Sequence, residues 1–329
     1  MPPFPEGTLA APFPWFGGKV MQAEMVWQRL GKVSNYIEPF AGSLGVLLNR
    51  PGGAPDTGCE TCNDADGFIA NFWRATAADP EAVARWADWP VNEADLHARH
   101  IWLNGQRESL TEALIADPDR YDAKIAGWWV WGICQWIGSG WCAGAAPMQR
   151  PHLSNAGMGV HRQRPHLSDA GMGVHQASDT LDALRQRMRR VRVICGDWSR
   201  AVSTGATKYG SVTGVYLDPP YAVSAGREST LYSTDSDGLS ADVRAWCLAN
   251  GDDPKFRIAL AGYDGEHEMP DSWACVEWKP HGHGMGGSAK GASRGKDNVR
   301  RERVWFSPHC LKVAATGQVG MFEALDGAA

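Results

Sequence analysis

Asp218-Pro219-Pro220-Tyr221 brings together the groups that a weakly nucleophilic exocyclic amine needs in order to react. In an amine such as adenine N6 the nitrogen lone pair is delocalised into the ring, so attack on a methyl group requires the pair to be drawn out of the ring plane. A carboxylate and a backbone carbonyl that each accept one amine hydrogen favour that geometry in the transition state. Asp218 and the carbonyl of Pro219 are candidates for these two acceptors, because the prolines restrict φ and contribute no amide donors of their own. Tyr221 adds a ring on which a base can stack. A base inside a duplex must first be flipped out, and stacking recovers part of the few kcal/mol that unstacking costs. Direct transfer of a methyl group from a sulfonium donor needs no metal and no covalent enzyme intermediate.

Such a motif is useful only at the end of a buried strand, and Gly214-Val215-Tyr216-Leu217 supplies one immediately before it. Further elements of the same kind lie on either side. Tyr36 to Phe40 reads as a short strand ending in the glycine turn Ala41-Gly42-Ser43-Leu44-Gly45, with Val46-Leu47-Leu48 expected to begin a helix. A second strand is expected to end at Asn63-Asp64, with a helix opening at Ala65 or Asp66, which puts an acid about 20 residues past the glycines. Val191 to Cys195, closed by Gly196-Asp197-Trp198, and Arg257 to Ala261 read as further strands. Ala274 to Trp278 and Arg303 to Phe306 read as an antiparallel hairpin at one edge of a mostly parallel sheet.

Between these α/β portions the chain changes character. From Pro80 to about Met188 it is helical and then rich in glycine, and it carries Trp128, Trp129, Trp131, Trp136 and Trp141. So dense a run of tryptophan is most simply a core helix with its rings turned inward, the other reading being a stacking surface for bases. Arg150 to His161 then recurs almost unchanged as Arg164 to His175, differing only at Asn155 and Asp169. Two copies are too few for a solenoid, so the repeat reads as an expanded polar loop near nucleic acid, with Arg150 and Arg164 as candidate contacts.

Bulk properties set the frame. A chain of 329 residues with 43% hydrophobic and 21% charged residues can bury a core and is long enough for two domains. No run of 18 apolar residues and no basic-then-apolar leader is present, which points to a cytoplasmic protein with no membrane partner. The net charge of −5 is unhelpful for binding nucleic acid as a whole, but charge is unevenly distributed: Leu184 to Arg192 holds five arginines and no acid, and Lys290 to Arg303 is also basic. Each segment is read either as tracking phosphates or as a solvated face. Cys59 and Cys62 form a CxxC without a second pair of ligands, so no metal is expected.

In order and in content these blocks resemble the Dam-like DNA adenine methyltransferases of bacteria and phages. Pro14-Trp15-Phe16-Gly17-Gly18-Lys19 is similar to the family's N-terminal element, Glu38 to Ser43 to its cofactor loop, Asn63-Asp64 to its ribose-binding acid and Asp218 to Tyr221 to its catalytic motif. The resemblance covers roughly residues 12 to 73 and 191 to 310. It implies a Rossmann-like methyltransferase sheet formed by residues 1–73 and 191–329, with an inserted, mainly helical target-recognition domain at 74–190. It also implies S-adenosylmethionine as cofactor, double-stranded DNA as partner and no obligatory protein partner. Trp15 and Lys19 would contact the methionine end of the cofactor, Lys19 being free to pair with its carboxylate, and Asp64 would bind the ribose. Phe40 and Gly42 would allow close backbone approach, Asp197 and Trp198 would cradle the adenine, and Arg227 and Tyr232 would reach the target strand. Phe16 and the extra Leu44 depart from the family pattern, and segment 74–190 does not match the recognition domain of the GATC-reading members. Transfer to cytosine N4 or to an RNA amine, and DNA binding without catalysis, are the alternatives.

Overall fold

The computed structural model describes residues 7–15, 19–90, 92–136, 141–142, 174–221, 236–277 and 301–313. In chain order the elements are α1 (Ala23–Leu30), β1 (Asn35–Glu38), β2 (Cys59–Asp64), α2 (Gly67–Ala78), α3 (Pro80–Ala87), α4 (Glu93–Ala116), α5 (Ala123–Ile133), α6 (Val174–Met188), β3 (Val191–Cys195), α7 (Thr204–Thr207), β4 (Thr213–Leu217), α8 (Ser236–Asn250), β5 (Phe256–Tyr263), β6 (Ala274–Glu277) and β7 (Glu302–Phe306). The strands form one seven-stranded sheet in the order β3-β2-β1-β4-β5-β7-β6. The first five of these are parallel neighbours, whereas β7 runs antiparallel to both β5 and β6. The sheet is therefore mixed, mostly parallel with an antiparallel edge, and compatible with a Rossmann-like arrangement. The expected edge hairpin is present, with β7 as its inner strand.

Alternation along the strands assigns the core to two faces. Tyr36, Cys62, Tyr216, Ala259, Ala261, Val304 and Phe306 join one hydrophobic cluster, while Ile37, Val215, Leu217, Ile258, Leu260 and Trp305 join another. The first cluster also takes in α1 to α6, and the second takes in Val243 and Cys247 of α8. The same alternation puts Cys59 and Cys62, three residues apart on β2, on opposite faces of the sheet, where they cannot share a ligand.

Helix starts follow local chemistry. Asp66, Asp79, Asn92 and Asp122 each accept a hydrogen bond from an amide in the first turn of α2, α3, α4 and α5 respectively, and Pro80 occupies the first position of α3. The expected helix at Val46-Leu47-Leu48 is instead a single 3-10 turn over Leu47–Asn49. Pro51 forces Arg50 into an extended conformation (φ −62°, ψ 125°), and Gly52 and Gly53 follow, so the turn cannot propagate.

The tryptophans of α5 take the core role. Trp129 and Trp131 are buried, and Trp129 meets Phe13 edge-on at 5.0 Å and Phe72 at 6.0 Å. Trp128 is only partly buried and lies between Trp86 and Trp102. Among the described residues no helix is long and apolar enough to cross a membrane.

Candidate functional site at the C-terminal edge of the sheet

Parallel pairing brings four strand ends to one edge. Glu38 of β1 is in register with Cys62 of β2, Asp64 of β2 with Cys195 of β3, and Ile37 of β1 with Val215 of β4. Pro39-Phe40, Asp64, Gly196-Asp197-Trp198 and Asp218 consequently leave the sheet side by side. Strand order reverses between β1 and β4, the place where open α/β sheets form a crevice for ligands.

The loops at this edge are tied together by hydrogen bonds. The Asn63 side-chain nitrogen Nδ2 donates to the carbonyls of Pro39 and Gly196, both at 3.0 Å, and the Gly196 backbone amide donates to the Asp64 carbonyl at 3.1 Å. Asp64 Oδ2 accepts from the Gly42 amide at 3.0 Å, and Oδ1 accepts from the Asp66 amide at 2.9 Å. Burial nonetheless raises the Asp64 carboxyl to about 7, against the lowering effect of these amides. Both oxygens have further lone pairs, and the buried Asn63 Oδ1 has no partner among the described residues. These acceptors fit a polar ligand that carries hydroxyl donors.

Gly42 has φ +45°, and a Cβ there would come within 2.6 Å of the Trp15 indole nitrogen. The residue must therefore be glycine both for its backbone conformation and for the close approach of Trp15. The Gly42 carbonyl accepts from the Trp73 indole at 3.0 Å. Leu44, two residues on, is also left-handed (φ +53°) with its side chain fully buried. At the other end of the crevice the Phe40 and Trp198 rings lie 6.1 Å apart and within 25° of parallel. The Asp197 carboxylate faces its own loop, accepting from the Ser199 amide at 2.9 Å and from the Ser199 hydroxyl. It caps the short turn that holds Trp198, so its visible role is to shape the loop.

Asp218 sits in a cluster of buried polar groups. Lys19 Nζ is 3.4 Å from Asp218 Oδ1 and 3.4 Å from Glu302 Oε1, and it donates to the Tyr221 hydroxyl at 2.7 Å. Tyr221 in turn hydrogen-bonds Asp218. Only 6% of the Lys19 side chain and 21% of that of Asp218 is exposed. Burial raises the Asp218 carboxyl above its ordinary value, while Lys19 and Tyr221 pull it back down. Glu302 is raised by burial too, with Lys19 and a hydrogen bond from Gln22 opposing the shift. Burial raises the Glu38 carboxyl, which also feels the charge of Asp218, to about 8 against the hydrogen bonds that it accepts from the Tyr36 hydroxyl and the Leu47 amide.

Two expectations change here. Lys19 is engaged by Asp218, Tyr221 and Glu302, which differs from the reading in which it is free for a ligand carboxylate. Tyr221 is buried, with its ring 4.5 Å from Tyr263 in an edge-on contact, so its hydroxyl bridges Lys19 and Asp218 and its ring is not an open stacking face. Pro219 is buried beside Asp218. The involvement of Glu302 and Gln22 was invisible in the sequence, because no motif surrounds either residue.

The basic segments divide. Arg187 is buried and paired with Glu60, whereas Arg185, Arg189, Arg190 and Arg192 are exposed. Arg303 contacts Asp264 at 3.4 Å and Glu277 at 3.9 Å. Arg150, Arg164, Arg227 and Tyr232 lie outside the described residues, as do Phe16 to Gly18 and the tandem repeat apart from the backbone of Val174 and His175. Compared with known proteins, the chain matches no family model and no curated protein.

Proposed function

We propose that this chain is an S-adenosylmethionine-dependent DNA adenine-N6 methyltransferase of the Dam-like kind, with 1–73 and 191–329 as its catalytic part and the inserted segment 74–190 as its target-recognition part. The observation that carries the reading is Asp218, presented directly after β4 at the point where strand order reverses, its carboxylate held by Lys19 and Tyr221. When bound, S-adenosylmethionine supplies a sulfonium methyl group that passes to the amine nitrogen, with the bonding pair left on sulfur.

The chain's own residues do the rest. Asp218 and the Pro219 carbonyl accept the two amine hydrogens and orient the nitrogen lone pair toward the methyl group. Asp64 and the loop carrying Gly42 hold the ribose end of the cofactor, Trp15 closes over Gly42, and Phe40 with Trp198 flanks the base end. As positive charge develops on the amine nitrogen, the surrounding carboxylates stabilise it until one proton passes to the Asp218 carboxylate and from there to solvent.

Incubation with S-adenosylmethionine labelled in the methyl group and duplex DNA, followed by nucleoside analysis, tests this. N6-methyladenine is expected from the wild type and none from Asp218→Ala, which retains cofactor binding by calorimetry. N4-methylcytosine would redirect the reading to cytosine. DNA left unmodified across a broad set of sequences would overturn it.

A further inference from the structure

Lys19 lies equally far, 3.4 Å, from two carboxylates on different strands: Asp218 after β4 and Glu302 at the start of β7. A lone lysine beside Asp218 would neutralise it and weaken it as a hydrogen-bond acceptor. The arrangement around Glu302 opposes that. Glu302 Oε2 accepts from the Gln22 side-chain amide, whose own oxygen accepts from the Tyr216 hydroxyl at 3.4 Å. The network thus returns to β4, two residues before Asp218, and Lys19, Gln22, Tyr216 and Glu302 are all buried.

We propose that Glu302 is a positioning residue that acts on Asp218 through Lys19: it draws part of the lysine's charge toward β7, keeping Asp218 a strong acceptor. This rests on the methyltransferase reading for its purpose, but the charge sharing itself can be tested without it. Among the described residues, the charged and titratable groups that face Asp218 are Lys19 from the segment before α1, Glu38 from β1, Tyr216 and Tyr221 from β4 and its continuation, Glu266 from the turn after β5, and Glu302 from β7. Glu38 is held largely protonated by burial at neutral pH, and Glu266 accepts hydrogen bonds from Ser240 and from the Tyr263 amide. Among the described residues, the carboxyl groups of Asp218, Glu302 and Glu266 outnumber the one ammonium of Lys19. Such a surplus suits a neutral amine that becomes cationic as it reacts.

The direct test is a pH titration of Asp218 by carbon NMR, in protein labelled at the aspartate carboxyl carbon, without cofactor or DNA, the resonance being assigned from its loss in Asp218→Asn. Glu302→Gln keeps the shape and removes one negative charge, so Lys19 turns to Asp218 and the Asp218 midpoint should fall by about one pH unit, a tenfold loss of proton affinity. Glu302→Asp, which retains the charge but draws it back by a methylene, should shift the midpoint in the same direction by less. Circular dichroism establishes that each variant is folded, and either one alone suffices. In the methylation assay Glu302→Gln should lower kcat about tenfold and move its acid limb to lower pH, with little change in the cofactor Kd. A residue that served only to fill space would leave the midpoint where it is. An Asp218 midpoint that stays unchanged or rises in the folded variants overturns the proposal. If the wild type methylates nothing, the functional reading fails, and the NMR titration still decides the charge sharing.

Discussion

Arg187 on α6 and Glu60 on β2 meet as a two-point ion pair, Nη1 to Oε2 at 2.5 Å and Nη2 to Oε1 at 3.0 Å. Arg50 approaches the same carboxylate at 2.9 Å, and Arg187 also donates to the Leu47 carbonyl at 2.8 Å. Since the Leu47 amide donates to Glu38, the loop after β1 is pinned on one side by the sheet and on the other by the last helix of the middle segment.

Breaking that pair leaves Glu60, whose side chain is wholly buried, with one guanidinium in place of two. Arg187→Met is therefore expected to destabilise the protein by about 3 kcal/mol, while Arg185→Met on the exposed face of the same helix should stay within about 0.5 kcal/mol. Urea denaturation of both variants measures this, and equal effects would show that the arginines are interchangeable.

Leu44 combines a left-handed backbone (φ +53°) with a fully buried side chain. Replacement by alanine forfeits the packing and keeps the backbone strain; replacement by glycine forfeits the packing but relieves the strain. Leu44→Gly is expected to be more stable than Leu44→Ala by about 1 kcal/mol, the reverse of the order in a helix or strand. Chemical denaturation midpoints decide it, and an alanine variant as stable as the glycine one would mean that the loop relaxes at no cost.

Glu38 has its carboxyl raised from 4.5 to about 8 by burial. The folded state therefore keeps a proton that the unfolded state releases. This contribution to stability is complete below about 4.5 and is lost as pH rises toward about 8. Glu38→Gln cannot ionise, and its side-chain oxygen can still accept from Tyr36 and Leu47. The variant should be close to wild type at pH ~5 and more stable by at least ~1 kcal/mol at pH ~8.5. A stability difference that does not change with pH would show that Glu38 titrates normally.

Much of the chain's organisation was legible in local sequence because local physics dictates it. Asp66 announces a helix start, and the short hydrophobic runs before Gly196 and Asp218 announce strands. Gly42 and Asp64, 22 positions apart, are the glycine and the acid that the spacing paired, and the tertiary structure joins them with a hydrogen bond. The turn after β1 was misjudged as a helix because the three apolar residues at 46–48 outweighed the Pro51 that stops them.

What determines itself along the chain is therefore the set of elements and the presence of Asp218-Pro219-Pro220-Tyr221 at the end of a strand, since backbone propensity and hydrophobic alternation act over a few residues. What only the tertiary structure decided is the company those residues keep. Lys19 finds Tyr221 across 202 positions and Glu302 across 283, and no periodicity or spacing encodes a contact at that separation. The sheet order brings the first turn, β4 and β7 to one place, and burial there makes the partition of a single lysine between two carboxylates matter.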